Sequence, residues 1–585
     1  MKFLRNLLAA ILGTLIAFGM LFFMFLIFIS LANVEEGVTV KNNSVLELQF
    51  EDPINDYTGS NEADPFAGLF EESVGLDDIL HTIAVAKDDN KIKGISLKSQ
   101  FVMAGWSQTQ AIREALRDFK ESGKFVYAYS DLYMQKDYFL ASVADSVFLN
   151  PVGGMDFRGL SAEVLFYKEL QEKTGVKMEV IRHGKYKSAV EPYLENEMSE
   201  ANRTQIKELL ESLWGSVIEE IAVDRDLSTD HLNTIADTLG GRSPKYAKQS
   251  GLIDDLLYRD QYETILKKAS GRDEDQDIQY IELSDYMKEA RKKSLNSGSD
   301  RIAVIYAQGE ILYGEGGPNY IGQGLINRAL IKARKDKKVK AVVLRVNSPG
   351  GSALTSDIIW REIELTKKEK PVVVSMGDVA ASGGYYISVG ADKIFAEPTT
   401  ITGSIGVFGT VPNISELAKN IGINADQVTT NINSTEYSLF EPMTPQFRGV
   451  VTEGIETIYQ TFLSRVADGR NISMARADSL AQGRVWSGVD AKELGLIDEL
   501  GSLNDAIDSA ADLADISSYS IRRYPRYKSN FEMLMEDLSG AKTRVQEDVI
   551  KAELGEEAFG LYKDLKRTTR QQGIQASMPF RLTIK

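Results

Sequence analysis

The sequence predicts an α/β protein in which one domain occurs twice in tandem behind an N-terminal transmembrane helix. Three observations carry this. Short β-branched runs alternate with longer helix-patterned segments, the pattern of parallel sheet covered by helices. Blocks of sequence recur at a nearly constant offset. An almost unbroken apolar run opens the chain.

The apolar run comes first. Lys2 and Arg5 precede it, it extends from Leu7 to Ala32, and Glu35 and Glu36 follow. About 20 apolar residues suffice to span a bilayer, whereas the apolar part of a cleaved secretory signal is about 7–15 residues long. Residues 1–36 therefore read as a retained membrane anchor, although Ser30-Leu31-Ala32 has the small residues of a cleavage site. Basic residues before the span, with none close behind it, place the N-terminus in the cytoplasm and the bulk of the chain outside.

The repeat divides the rest. Lys91-Ile-Lys-Gly-Ile-Ser-Leu-Lys98 matches Lys338-Val-Lys-Ala-Val-Val-Leu-Arg345, and Phe139-Leu-Ala-Ser-Val-Ala-Asp145 matches Tyr386-Ile-Ser-Val-Gly-Ala-Asp392, both at a shift of 247. Gly251-Leu-Ile-Asp254 matches Gly495-Leu-Ile-Asp498 at a shift of 244. Ser44–Phe50 and Arg301–Ala307 read as the opening strands. The expected organisation is an anchor (1–36), a first copy (44–268), a charged linker (269–300), a second copy (301–520) and a tail (521–585). The tail reads as a packing or oligomer-contact helix. In the second copy Ala341–Val346 reads as a buried strand, Thr355–Lys368 as a helix, Pro371–Ser375 as the next strand and Gly383–Gly390 as a helix start.

Composition excludes several functions. A net charge of −17 opposes nucleic-acid binding, which needs basic surface against phosphates. No cysteine exists, so disulfides, thiolate metal sites and cysteine nucleophiles are out. Three histidines (His81, His183, His231) make a multi-histidine metal centre a poor expectation.

Two second-copy segments follow strands and carry glycine-rich turns: Asn347-Ser-Pro-Gly-Gly-Ser352 and Gly377-Asp-Val-Ala-Ala-Ser-Gly-Gly-Tyr385. Glycines there let backbone N–H groups face a site, and a serine at a helix start sits in positive potential. The ordinary role of such a serine is to cap the helix. The repeat argues for more. At the 247 shift, Ser382 falls on Gln135, Gly383 on Lys136, and Gly350-Gly351 on Met103-Ala104. Residues needed only for the fold should occur in both copies.

The reciprocal loss lies in Gly184-Lys-Tyr-Lys-Ser-Ala-Val-Glu-Pro192, which aligns on its Glu-Pro pair with Ser434–Pro442 at a shift of 250. Lys187 then faces Tyr437. One copy offers a lysine, the other a nucleophile. A neutral lysine amine can activate a serine hydroxyl. Bringing its pKa from about 10.4 to about 7–8 takes roughly 3 units, which burial can supply. Ala189 and Val190 fit such a pocket, while Lys185 reads as a surface lysine. His183 is the rival base, but its segment supplies no carboxylate partner. Ala380 also replaces the first glycine of a Gly-x-Ser-x-Gly elbow.

With these residues in view, the chain resembles the long, duplicated form of the signal peptide peptidase A (protease IV) family over nearly its full length. The N-terminal span, Tyr186-Lys-Ser-Ala-Val-Glu-Pro192, Asn347-Ser-Pro-Gly-Gly351, Asp378-Val-Ala-Ala-Ser-Gly-Gly-Tyr385 and Thr402-Gly-Ser-Ile-Gly406 carry the resemblance. It implies Ser382 as nucleophile, Lys187 as general base and Ser404 as the hydroxyl that orients the lysine. It implies Gly350 or Gly351, with Gly383, as the oxyanion hole. It further implies a fold akin to the Clp protease and crotonase superfamily, a homotetramer at the cytoplasmic (inner) membrane with its bulk in the periplasm, and no metal or cofactor. The implied substrates are signal peptides left after preprotein cleavage and other apolar peptides. Two other functions compete: a crotonase-type enzyme acting on a coenzyme A thioester, and a non-catalytic membrane scaffold.

Overall fold

The structure is a computed structural model that describes residues 2–32, 39–50, 52–59, 74–98, 100–293, 298–431, 433–434, 437–527 and 575–577. The helix Lys2–Ala32 covers the N-terminal apolar run. Its side chains are described only in part, and among the described residues no helix is long and apolar enough to cross a membrane.

The first sheet has six parallel strands, in the order Asp255–Leu256, Ser146–Met155, Phe125–Tyr133, Ile92–Leu97, Ser44–Leu48, Gln279–Glu282. Parallel neighbours require crossovers, and the helices Leu76–Asp88, Trp106–Lys120 and Gln135–Ala141 provide them. Ile112, Leu116 and Phe119, spaced at four and three residues, form the fully buried stripe of the second of these.

The second sheet repeats the plan. Its order is Val485–Ser487, Ile401–Gly403, Val372–Ala381, Val339–Ser348, Asp300–Gln308, Tyr519–Tyr524. Only the Ile401–Gly403 and Val485–Ser487 pair is antiparallel, and Lys393–Ala396 branches from Val372–Ala381. Val342, Val343, Leu344 and Val346 are all fully buried, as expected of a strand covered on both faces. Ser352 caps the helix Ala353–Lys367 by accepting the Thr355 N–H. The helix Gly383–Ser388 begins straight after Ser382.

Equivalent bonds recur in both copies. Tyr138 donates its hydroxyl to the Leu252 carbonyl at 2.8 Å, and Tyr385 to that of Leu496 at 2.7 Å. Arg225 pairs with Asp254, and Arg470 with Asp498. The duplicated α/β architecture is thus present down to individual hydrogen bonds.

The copies interleave. A third sheet runs Tyr320–Ile321, Glu310–Ile311, Gly350–Ser352, Gln575–Ser577, Val407–Asn413, Lys177–His183. Its last strand comes from the first copy and lies antiparallel to Val407–Asn413, with His183 opposite Val407 and Lys177 opposite Asn413. Ile181 accordingly packs in the second core. The helix Glu200–Arg225 serves both halves: Val217, Ile218 and Ile221 enter the first core, while Ile206, Leu209 and Leu213 pack on Ile401 and Val485. Asp56 of the first copy pairs with Arg345 of the second at 2.8 Å, both 2% exposed.

Two stretches differ from expectation. The 269–300 stretch, expected as a linker, contains Gln279–Glu282, which extends the first sheet beside Ser44–Leu48. It also contains the helix Leu283–Ala290, whose Leu283, Tyr286 and Ala290 join the first core. Only four residues of strand are involved, too few for a periodic signal to rise above the surrounding charge. The tail contributes strand: Tyr519–Tyr524 runs past residue 520, and Gln575–Ser577 enters the third sheet. The tail helix expected from the sequence lies largely outside the described residues.

Candidate active site

Three segments converge. The Val372–Ala381 strand ends at Ser382, which has φ +56 and ψ −112 and leads into the Gly383–Ser388 helix. The strand Ile401–Gly403 runs alongside and gives Ser404, with φ +52. A serine at positive φ is uncommon and costs on the order of 1–3 kcal/mol, which the surroundings must impose. They do so through backbone bonds: the Ser382 N–H donates to the Gly403 carbonyl at 2.8 Å, and the Ser404 N–H to that of Arg484 at 2.6 Å.

The third segment follows Lys177–His183. The chain leaves the sheet at Gly184, and four residues beyond His183 it presents Lys187 at the start of the short helical turn Ser188–Val190. The lysine is fully buried. Its Nζ lies 2.9 Å from Ser382 Oγ, 3.0 Å from Ser404 Oγ and 3.0 Å from the Ser404 carbonyl oxygen. The Phe408 ring centroid is 6.0 Å away. Burial alone pushes this amine well below the ordinary lysine range. All three neighbouring oxygens are uncharged, so no counter-charge close by offsets the loss of water.

The glycine-rich turn lies beside the Ser382 loop. Gly350 has φ +94 and Gly351 +153, values that glycine alone adopts without strain. Gly384 sits so close to Ser348 that a Cβ there would meet its carbonyl oxygen at 2.7 Å. The Gly350 N–H donates to Ser348 Oγ at 3.1 Å, and Asn347 Oδ1 accepts the Val379 N–H at 3.2 Å. Asn347 and Ser348 thus brace the two loops, a role no residue pattern announced. Gly383 opens its helix, so its N–H lies where intrahelical acceptors are missing.

Gly350–Ser352 pairs antiparallel with Gln575–Ser577, with Gly351 opposite Ala576. Gln575 also pairs with Phe408 on the other side. An extended segment therefore fits between the glycine turn and the Val407–Asn413 strand, whose Phe408 ring centroid lies 6.0 Å from Lys187 Nζ.

The remaining candidates fall elsewhere. His183 Nδ1 is 2.6 Å from Glu456 and its ring stacks on Tyr459 at 3.8 Å. It does have a carboxylate partner, which sequence separation concealed, but Ser382 is bonded to Lys187 instead. Lys185 is exposed, as expected. Tyr437 is largely exposed and donates its hydroxyl to Pro412. In the first copy, Gln135 bonds to the backbone of Arg158 and Gly159, and Lys136 to the Ala104 carbonyl. Those positions hold loops together where the second copy holds Ser382 and Gly383. Among the described residues, no cluster of three His, Asp or Glu side chains is placed to hold a metal ion.

Comparison with known proteins adds an independent line. The model for peptidase family S49 matches residues 118–272 and 364–517, so that the first match contains Lys187 and the second Ser382 and Ser404. Protease 4 of Haemophilus influenzae is 39% identical over 492 residues, covering 81% of this chain and 79% of the relative. Protease 4 of Salmonella typhi is 37% identical over 489 residues, 82% and 78% of the two chains. The chloroplastic serine protease SPPA of Arabidopsis thaliana is 31% identical over 552 residues, 92% and 78%.

Proposed function

The chain belongs to peptidase family S49 and is a serine peptidase, and from that premise we propose that it cleaves peptides with Ser382 as nucleophile and neutral Lys187 as general base. The observation that carries the pair is the 2.9 Å contact between Lys187 Nζ and Ser382 Oγ inside a fully buried site. A neutral amine has two N–H donors and one lone pair. Its three oxygen neighbours match that inventory: the N–H groups reach the two Ser404 oxygens, and the lone pair accepts the Ser382 hydroxyl proton.

The reaction follows from this arrangement. Ser382 Oγ attacks the peptide carbonyl carbon while its proton passes to Lys187 Nζ. The carbonyl π electrons move onto oxygen, and the oxyanion takes N–H groups from Gly383 and Gly351. Gly350 is the lesser candidate because its N–H already serves Ser348. As the tetrahedral species collapses, the C–N bond breaks and the Lys187 ammonium returns its proton to the leaving amine. Water then attacks the acyl ester, Lys187 takes its proton, and Ser382 leaves with that proton. Ser404 holds the amine in line throughout.

Substrate backbone enters as an added strand between Gly350–Ser352 and Val407–Asn413, the place Gln575–Ser577 takes. The helix Lys2–Ala32 anchors the enzyme in the inner membrane as a single span, with Lys2 and Arg5 on the cytoplasmic side and the catalytic body in the periplasm. An enzyme held there meets apolar peptides in or near the bilayer, spent signal peptides foremost. Assembly into a homotetramer belongs to the same reading.

A fluorophosphonate probe tests the core of the proposal. Wild-type protein should label and hydrolyse casein; Ser382→Ala should do neither, and Lys187→Ala should lose hydrolysis while keeping its fold. Casein hydrolysis that survives in either variant refutes the pair.

A further inference from the structure

We propose that the turn Gln482-Gly483-Arg484 is a clasp that seats the general base, with Gly483 as a positioning residue; this rests on Lys187 being that base. The turn belongs to the second copy, but its three peptide groups bind both sides of the site. Gln482 accepts the Tyr186 N–H at 2.8 Å, on the lysine-bearing loop from the first copy. Gly483 donates its N–H to the Ile405 carbonyl at 2.8 Å, and Arg484 accepts the Ser404 N–H at 2.6 Å. The residues flanking Lys187 and Ser404 therefore share one fixed reference.

Packing at the turn leaves no room for a side chain. Gln482 and Gly483 both have positive φ, +55 and +79. A Cβ on Gly483 would lie 2.6 Å from Lys187 Cβ, 2.6 Å from its backbone nitrogen and 2.7 Å from its Cα. Two more glycines close the sleeve. A Cβ on Gly406 would meet Gly483 Cα at 2.9 Å and Lys187 Cδ at 3.1 Å, and one on Gly184 would meet the Gln482 carbonyl at 2.6 Å. The lysine stem thus runs through a channel walled by bare backbone, which excludes water from the amine and aims it at Ser382.

Charged groups surround the sleeve without entering it. Arg182 donates to the Lys187 carbonyl oxygen at 3.3 Å, Arg484 pairs with Glu208 from the helix Glu200–Arg225, and Asp478 holds the Gln482 amide at 2.7 Å. Lys185 points to solvent over the Tyr186 ring, Glu191 accepts from Asn202, and His183 is bound to Glu456. Desolvation, set by the glycine walls, is what depresses the amine.

The test is Gly483→Ala beside Gly495→Ala. Gly495 has a matching φ of +77 with nothing within 4 Å of an added Cβ, so it carries the same backbone strain away from the site. Gly483→Ala should lower kcat on the order of 10²-fold with little change in KM, as a displacement of about 1 Å does. The acid limb of its pH–rate profile should move upward, because water reaching the amine returns it toward the free lysine value. Gly495→Ala should keep the wild-type kcat and profile. Equal behaviour of the two variants, or a Gly483→Ala profile with an unmoved acid limb, overturns the clasp. Where Gly483→Ala does not fold, Gly406→Ala decides: an upward limb supports the clasp and a wild-type limb overturns it. Full activity in Lys187→Ala would instead reject the assignment of the base, a separate failure.

Discussion

Replacing Ser404 by alanine removes one of the three oxygens around Lys187 Nζ and leaves the other two, Ser382 Oγ and the Ser404 carbonyl, in place. The cost differs between the two protonation states of the amine. A neutral N–H loses an ordinary hydrogen bond worth about 1 kcal/mol net, whereas an ammonium loses a charge-assisted one worth about 1.5–3 kcal/mol. The charged form is thus penalised more, by about 1 kcal/mol, which lowers the lysine pKa further by ~0.7 unit. In its proposed role Lys187 acts as a base only when neutral, so activity should fall as pH drops through its pKa, and in Ser404→Ala this acid limb should shift to lower pH. The transition state carries a developing ammonium, so kcat on the plateau should fall about fivefold from the same difference, with lost alignment adding to it. The assay is kcat against pH on a fluorogenic peptide. A limb that moves upward, or an unchanged limb with unchanged kcat, refutes the assignment of that hydroxyl to the amine. Gly483→Ala should move the same limb the other way, so the two variants separate contact from desolvation.

Three further outcomes are expected. Lys187→Met should be inactive yet more resistant to urea at pH 7: the folded lysine releases a proton that the unfolded one keeps, so wild-type stability rises with pH across that window, and the variant should not show that rise. Asp378, which accepts the Ser107 and Gln108 N–H groups, is pushed up to about 6 chiefly by burial. Its folded form holds a proton that the unfolded chain loses from about pH 4, so wild-type stability should fall as pH rises from about 4 to about 6, by at most about 3 kcal/mol, part of the residue being accessible. Asp378→Asn should flatten that interval in urea titrations, and an unchanged slope counts against the buried carboxyl. Deleting residues 571–585 takes the Gln575–Ser577 strand out of the groove and should lower KM for peptides at constant kcat; an unchanged KM means the segment does not compete there.

The repeat made most of the fold readable, because the same hydrophobic strand had to be written twice. Lys91–Lys98 and Lys338–Arg345 sit on equivalent central strands, Ile92–Leu97 and Val339–Ser348. The convergence of Lys187, Ser382 and Ser404 into one candidate site was readable through the divergence of the copies: Gln135 and Lys136 do structural work where Ser382 and Gly383 stand in the other copy. What stayed hidden is pairing. Along Lys177–His183 the apolar residues Met178, Val180 and Ile181 do not keep one phase and only Ile181 is buried, and nothing local says that the strand leaves its own copy to join Val407–Asn413. His183 misled for the same reason, since Glu456 lies 273 positions away. Gly483 carries no motif at all; its importance arises only from the backbone that packs against it.

Beside the apolar contacts of Ile206, Leu209 and Leu213 with Ile401 and Val485, one stretch of the seam between copies is polar. Arg345 is buried and divides its donors between Asp56, Ser375 Oγ and the Met376 carbonyl, while Gln108 reaches Ile54 and Asp56. Desolvating such a pair consumes most of its Coulombic gain, so it adds little net stability over an apolar seam of the same shape. Removing one partner, by contrast, strands a buried charge at a cost of about 3–5 kcal/mol. That asymmetry penalises every docking except the one that satisfies each donor. An apolar seam would tolerate sliding, and a slide of one residue would part Lys187 from Ser382 by more than a hydrogen bond can span. The polar stretch of the seam thus favours one register, which matters because the proposed nucleophile and the proposed base come from different copies.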